Sequence, residues 1–343
     1  MQRIFHILWC FCFTSSLQAQ QIELKTIQLP VQVSIRALQT VNDSVVWFAA
    51  NRGVFGFTKD GGSNWHIDSI ATDGKYSEFR SLAALNDSTV LLLSIDSPAY
   101  LLRTNNYGTS WQHVYSNHSK GIFFDSMTFK DSLHGIAISD PMEGYFMIIK
   151  TTDGGNNWQE LKVTSPAIKG EGCFAASNTN IQWLQNSVIF ATGGSTSRLF
   201  ISENDGAFLP QTTPMISDST MTGIFTMYFE NKLNGYIGGG NYLQSDTTTT
   251  LYQTNNGGKT WQPIKLPEGA FVSCVKTIKT KNGNYLITTG HNGTYVIDSQ
   301  HYIKEIKNAD GLSLAFYTIS IAPSQKKVWM AGKSGKMAVL KFY

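Results

Sequence analysis

Arg36 and Arg80 hold the same place in two short segments of one pattern, SIRAL and EFRSL, and Asp125 holds it in a third, FFDSM. A pair of guanidinium forks beside acids is the chemistry of anion recognition, because the planar fork meets a carboxylate with parallel N–H donors. Continuing the alignment through CFAAS, GIFTM, VSCVK and AFYTI brings Ala175, Phe225, Cys274 and Tyr317 to the equivalent position. The turns that follow supply a second set, Arg52, Asp96, Asp140, Arg198, Asn241, His291 and Lys333, and Glu171 stands just ahead of the fourth segment. The candidate ligand-binding residues are therefore Arg36, Arg80, Asp125, Asp140, Glu171 and Arg198. Their plain structural alternative is pairing across neighbouring strands, as between Arg80 and Asp125, which satisfies both partners without any ligand.

Other chemistry finds no motif. The GGKT at residues 257–260 ends like a phosphate-binding loop, but Gln253 stands where that loop needs its first glycine. There is no HExxH, CxxC or GxSxG, and the seven histidines are scattered, so neither a metal nor a cofactor is expected. The 27 basic and 24 acidic residues are interspersed without a basic run, which excludes a phosphate-backbone footprint. No nucleic-acid partner is expected.

The elements that position these residues are announced by a repeat. TKDGGSNW, TNNYGTSW, TTDGGNNW and TNNGGKTW share Thr-x-(Asp/Asn)-x-Gly-x-x-Trp, and SENDGAFL is a worn copy. The acid or amide recurs at Asp60, Asn106, Asp153, Asn204 and Asn256, in steps of 46, 47, 51 and 52 residues, and the tryptophans are Trp65, Trp111, Trp158 and Trp261. Asp or Asn can bond nearby amides, glycine supplies a positive φ, and the tryptophan is expected to pack back beneath its turn. Short apolar runs broken by such turns at this period fit four-stranded blades, not helical repeats.

Two more blades follow without good boxes, and the last stops after three strands; IELKTIQLP, residues 22–30, resembles the strand that follows a box and should complete it. The expected fold is all-β, a seven-bladed β-propeller of four-stranded antiparallel blades closed by an N-terminal strand. Residues 1–19, with Arg3, an apolar run and Ala19, read as a signal peptide, and 20–343 as one propeller, secreted or periplasmic, monomeric and not membrane-spanning. Cys173 and Cys274 fall two blades apart and are expected as buried thiols, not a bridge.

The repeated pattern is similar to the Asp-box, or BNR repeat, of sialidases and sortilin-like receptors. With SIRAL, EFRSL, FFDSMTF, AISDP, GEGCFAASNTN, TGGSTSR and IGGGNY, the chain resembles secreted Asp-box propellers of Bacteroidetes-type bacteria related to photosystem II stability/assembly factors. That resemblance implies a non-catalytic module whose arginine-bearing face, here Arg36, Arg80 and Arg198, holds a protein client or a small anion. The chain departs from it at Asn241, where Asp is expected, and in its fourth box. The sialidase side of the resemblance implies an alternative, a glycoside hydrolase with Tyr317 as nucleophile and Glu171 as its partner beside the arginines, although SIRAL lacks the Arg-Ile-Pro signature.

Overall fold

The second strands of blades one and two are short, largely apolar runs, Val46–Ala50 and Val90–Ser94, and such strands are stable only where both faces are covered. In the computed structural model, which describes residues 22–95, 97–203, 207–244 and 250–343, neighbouring sheets supply that cover. Seven four-stranded antiparallel blades stand in a ring, a seven-bladed β-propeller. The leader expected over residues 1–19, Asp96 and the box residue Asn204 lie outside the described residues. Among those described, no helix is long and apolar enough to cross a membrane.

The innermost strands of blades one to seven are Ile35–Thr40, Phe79–Ala84, Phe124–Phe129, Ile181–Leu184, Thr222–Phe229, Cys274–Thr280 and Thr318–Ile321. Seven core clusters each span two neighbouring blades; in one, Trp47 and Phe55 of blade one pack with Phe79 and Leu92 of blade two. Ile22–Gln28 pairs with the third strand of blade seven, Lys336–Phe342, from Ile22 opposite Phe342 to Gln28 opposite Lys336. The first described strand is thus the outer strand of the last blade, and the ring has no open edge there.

The boxes lie between the third and outer strands. Asp60 Oδ1 accepts from Thr58 Oγ1 at 2.8 Å and from the Ser63 and Asn64 amides at 2.9 Å, while Asn64 Nδ2 donates to Oδ2 at 2.7 Å. Asp153 repeats this with Thr151, Asn156 and Asn157. These donors hold both carboxyls at about 2, well below the usual range. In the other two boxes the amides Asn106 and Asn256 donate to hydroxyls, Ser110 at 2.9 Å and Thr260 at 2.7 Å. The residue four positions on is therefore matched to the box: an amide donor beside a carboxylate, a hydroxyl acceptor beside an amide.

Trp111, Trp158 and Trp261 pack back on their own turns as expected, Trp158 Nε1 donating to the Gly155 carbonyl at 3.2 Å and the Trp111 and Trp261 rings lying against Gly108 and Gly258, and two of the four box tryptophans reach the preceding blade. Trp65 meets Trp329 of blade seven, ring centroids 5.9 Å apart, and Trp111 meets Phe55 of blade one at 5.1 Å, whereas Trp158 and Trp261 lie against Phe129 and Phe229 of their own blades. The second box glycine likewise sits on the preceding blade. Gly62 has φ +84°, and a β-carbon there would lie 2.5 Å from the Trp329 ring. The box thus joins blades as well as closing a hairpin.

Asp60→Asn should set two amide donors face to face and lower the unfolding midpoint by about 1–2 °C at pH 7, and Asp60→Asn with Asn64→Ser should restore it. Thermal unfolding of the three chains checks the pairing; equal midpoints for the single and double variants would refute it. Because the two carboxyls are depressed, their contribution is present above the unfolded value near 4 and is lost as the pH falls toward 2.

Candidate functional site

The innermost strands place the candidate residues by a repeated irregularity. In blade one, Ile35 faces Ala50 and Ala37 faces Ala49, leaving Arg36 as an extra residue. The same slip occurs at Arg80, Asp125 and Phe225. A bulge takes its extra residue out of the ladder and re-aims the side chain, here toward the channel mouth. Tyr317 stands at the matching place in blade seven, its amide bonded to the Ala331 carbonyl that Thr318 also faces. In blade six the position belongs to Ser273, whose amide bonds Thr289 at 2.9 Å. Cys274, aligned there from sequence, is one residue further on and packs in the core between blades six and seven.

Blade four departs most from the expectation. CFAAS is not its innermost strand; Ile181–Leu184 is. Residues 173–180 enter the channel instead and bond to all six other blades. Arg36 Nη1 of blade one donates to the Ala176 carbonyl at 3.3 Å, and Asn178 Nδ2 donates to the Leu82 carbonyl of blade two at 2.9 Å. The Met127 amide of blade three donates to Asn178 Oδ1 at 3.1 Å, and the Met227 amide of blade five to the Thr179 carbonyl at 3.0 Å. Ser177 Oγ donates to the Ser273 carbonyl of blade six at 2.6 Å, and Thr318 Oγ1 of blade seven to the Ser177 carbonyl at 3.1 Å. This plug crosses the channel and divides it. Its signal in the sequence was the polar run Ser177–Asn180, which no inner strand of the other blades matches.

Above the plug, the Arg36 guanidinium lies 4.2 Å over the Tyr317 ring, and its buried Nε has no acceptor. Arg80 Nε donates to Glu78 at 2.7 Å. Burial pushes the Tyr317 hydroxyl up, against the pull of Arg36 and Arg80. Beside these residues opens a pocket of about 410 Å³ lined by Tyr242, His291, Tyr317, Lys333 and Lys336 and by no carboxylate. Neither lysine has an ion-pair partner among the described residues. Burial holds His291 below its ordinary range, favouring the neutral ring. An aromatic wall continues inward: Phe174 of the plug lies parallel to Phe225 with centroids 3.8 Å apart, and Tyr242 and Phe271 surround them. Tyr242, Lys336, Phe174 and Phe271 were not among the candidates, since only the folded ring brings their loops together.

The other candidates serve different ends. Arg198 and Glu171 meet each other: Glu171 accepts from Arg198 Nε at 2.9 Å, from Arg198 Nη2, from Thr192 Oγ1 at 2.6 Å and from the Ile168 amide at 2.9 Å. Arg198 also donates to the Pro166 carbonyl at 3.0 Å and lies over Phe200. Four donors saturate the carboxylate, so this buried pair fastens blade four and leaves no fork for a ligand. The Glu171 carboxylate thus spends its hydrogen bonds on Arg198, Thr192 and the Ile168 amide, and shares none with Tyr317. Arg80 and Asp125 form no ion pair. Asp125 is buried with neither oxygen bonded; burial and the nearby Asp140 raise it well above the carboxylate range, and the charge of Arg80 only partly opposes this. Asp140 accepts from the Cys173 amide at 2.7 Å and is raised by burial to about 6. Asn241 caps its own turn through the Leu243 amide. Cys173 and Cys274 are free, buried thiols, and no three His, Cys, Asp or Glu side chains converge as a metal centre among the described residues.

No protein-family profile and no curated protein matches the chain. Solved structures do. A structure titled "YCF48 bound to D1 peptide" superposes with a TM-score of 0.65 at 16% identity, covering 93% of this chain and 96% of that one. YCF48 from Cyanidioschyzon merolae gives 0.66 at 14% identity over 93% and 98%. Virginiamycin B lyase from Staphylococcus aureus gives 0.67 at 13% over 94% and 100%. The likeness is one of fold. A lyase among propellers this similar shows that the scaffold alone does not select a chemistry, which must be argued from the mouth.

A carboxyl raised on folding stabilises the protein below its unfolded value near 4, and that contribution is lost as the pH rises through the folded value. Asp125 and Asp140 are both of this kind. Asp125→Asn should therefore gain several degrees of unfolding midpoint over the parent chain as the pH rises from 5 to 8. Parallel midpoint curves across that range would show that Asp125 does not ionise against its burial.

Proposed function

We propose that this chain is a non-catalytic, exported propeller that captures an acidic protein segment at its channel mouth. The observation that carries the reading is the composition of the mouth: Arg36, Arg80, Lys333 and Lys336 converge around Tyr317, Tyr242 and His291. Such a site suits a peptide carboxylate held by the cations while an apolar neighbour lies against the aromatic wall. Arg36 is already ordered by the Ala176 carbonyl and the Tyr317 ring, so little side-chain entropy remains to be lost on binding. The fold-level likeness to YCF48, one structure of which is described as bound to a D1 peptide, supports a protein client over a small molecule. In this reading Arg198, Glu171, Asp125 and Asp140 shape the mouth from behind.

Fluorescence anisotropy with an acidic peptide library tests the proposal. The tightest peptide should lose about tenfold or more in affinity for Arg36→Ala/Arg80→Ala, measured on a chain that still unfolds cooperatively, and should weaken as salt rises. Equal affinity for the double variant would overturn it. Export is tested by the mass of the chain recovered outside the cytoplasm, which should begin at residue 20; a chain found intact in the cytoplasm would contradict it.

A further inference from the structure

Below the plug, on the face that carries the boxes, the channel holds a second chamber of about 410 Å³. Its walls are the far halves of the innermost strands and its roof is Ser177–Thr179. Of the residues lining it, Lys276 alone is charged. The chamber's glutamines are committed to the fold. Gln39 exchanges two hydrogen bonds with the Ala84 backbone, at 3.0 and 2.8 Å, and Gln182 two with Phe229, at 2.8 and 2.9 Å, each tying one blade to the next. Gln325 accepts from the Lys279 amide at 3.1 Å. Lys276 has no hydrogen-bond or ion-pair partner among the described residues; its ammonium lies 5.1 Å from the centroid of the Tyr228 ring.

Lys276 is partly buried where it lines the chamber, with no counter-ion among the described residues, and burial lowers its pKa. The chamber is of ligand size, and its remaining polar surface includes the hydroxyls of Thr128 and Thr277, neutral groups able to bond an anion or its hydroxyls. We propose that this chamber is a second binding site, taking a small hydrophilic carboxylate such as a short hydroxy acid, with Lys276 as its counter-ion. The site is separate from the mouth, and the proposal does not rest on the reading given for the mouth.

Thermal unfolding of the chain in glycolate and in its neutral analogue glycolamide tests it, on the parent, Lys276→Met and Arg36→Ala/Arg80→Ala. Glycolate at ten times its dissociation constant should raise the midpoint of the parent and of the arginine variant by about 2 °C, and glycolamide should raise neither. Lys276→Met should not respond to glycolate. An equal glycolate response in Lys276→Met, or none in the parent, overturns the proposal; a response lost only in the arginine variant assigns the anion to the mouth and also overturns it. Should Lys276→Met fail to fold, NMR of the parent labelled with ¹³C at lysine Cε replaces it. The resonance with the lowest-titrating amine should then move with glycolate and not with glycolamide, and an unmoved resonance overturns the proposal.

Discussion

The structure depends on how the axis of the ring is filled. Seven innermost strands each turn one edge toward a common channel, and backbone groups left unpaired in a confined space are costly. Residues 173–180 meet that requirement by crossing the channel and bonding to every other blade. The segment is polar because it must reach six partners in different directions. Asn178 alone bonds Ser81, the Leu82 carbonyl and the Met127 amide, from a left-handed backbone with φ +59°.

The mouth follows from that arrangement. With the plug in place the bulged residues can settle against it, so Arg36 finds the Ala176 carbonyl and Phe225 finds Phe174. The plug's approach also encloses Asp125 and Asp140, and burial then raises both carboxyls. The two acids behind the arginines therefore differ in degree: burial raises Asp125 well above the carboxylate range and Asp140 to about 6. Raising these acids weakens the internal neutralisation that would otherwise compete with an anionic ligand.

Much of this was legible in the sequence because it is local. A box closes within eight residues, so Asp60 and Asp153 announce their hydrogen bonds, and the likeness of residues 22–30 to the strand after a box foretold how the ring closes. The bulge positions Arg36, Arg80, Asp125 and Phe225 aligned correctly because one backbone irregularity recurs at one place in the repeat. What failed was set by distant partners. CFAAS has the alternation of an inner strand, and only the other six blades make it a plug. Glu171 sits near the mouth in the chain, yet its partner Arg198 is 27 residues away and takes it into blade four. Cys274 and Ser273 differ by one position, a shift decided by which amide bonds Thr289.

Hydrogen–deuterium exchange of the chain, alone and with a captured acidic peptide, tests the central claim that a plug bonded to all the other blades underlies a binding mouth. The account predicts slow exchange over residues 173–180 in both states and new protection confined to the mouth, around residues 36, 80, 242, 317 and 333–336. Exchange of residues 173–180 as fast as that of the surface loops, or protection falling on the box face, would contradict it.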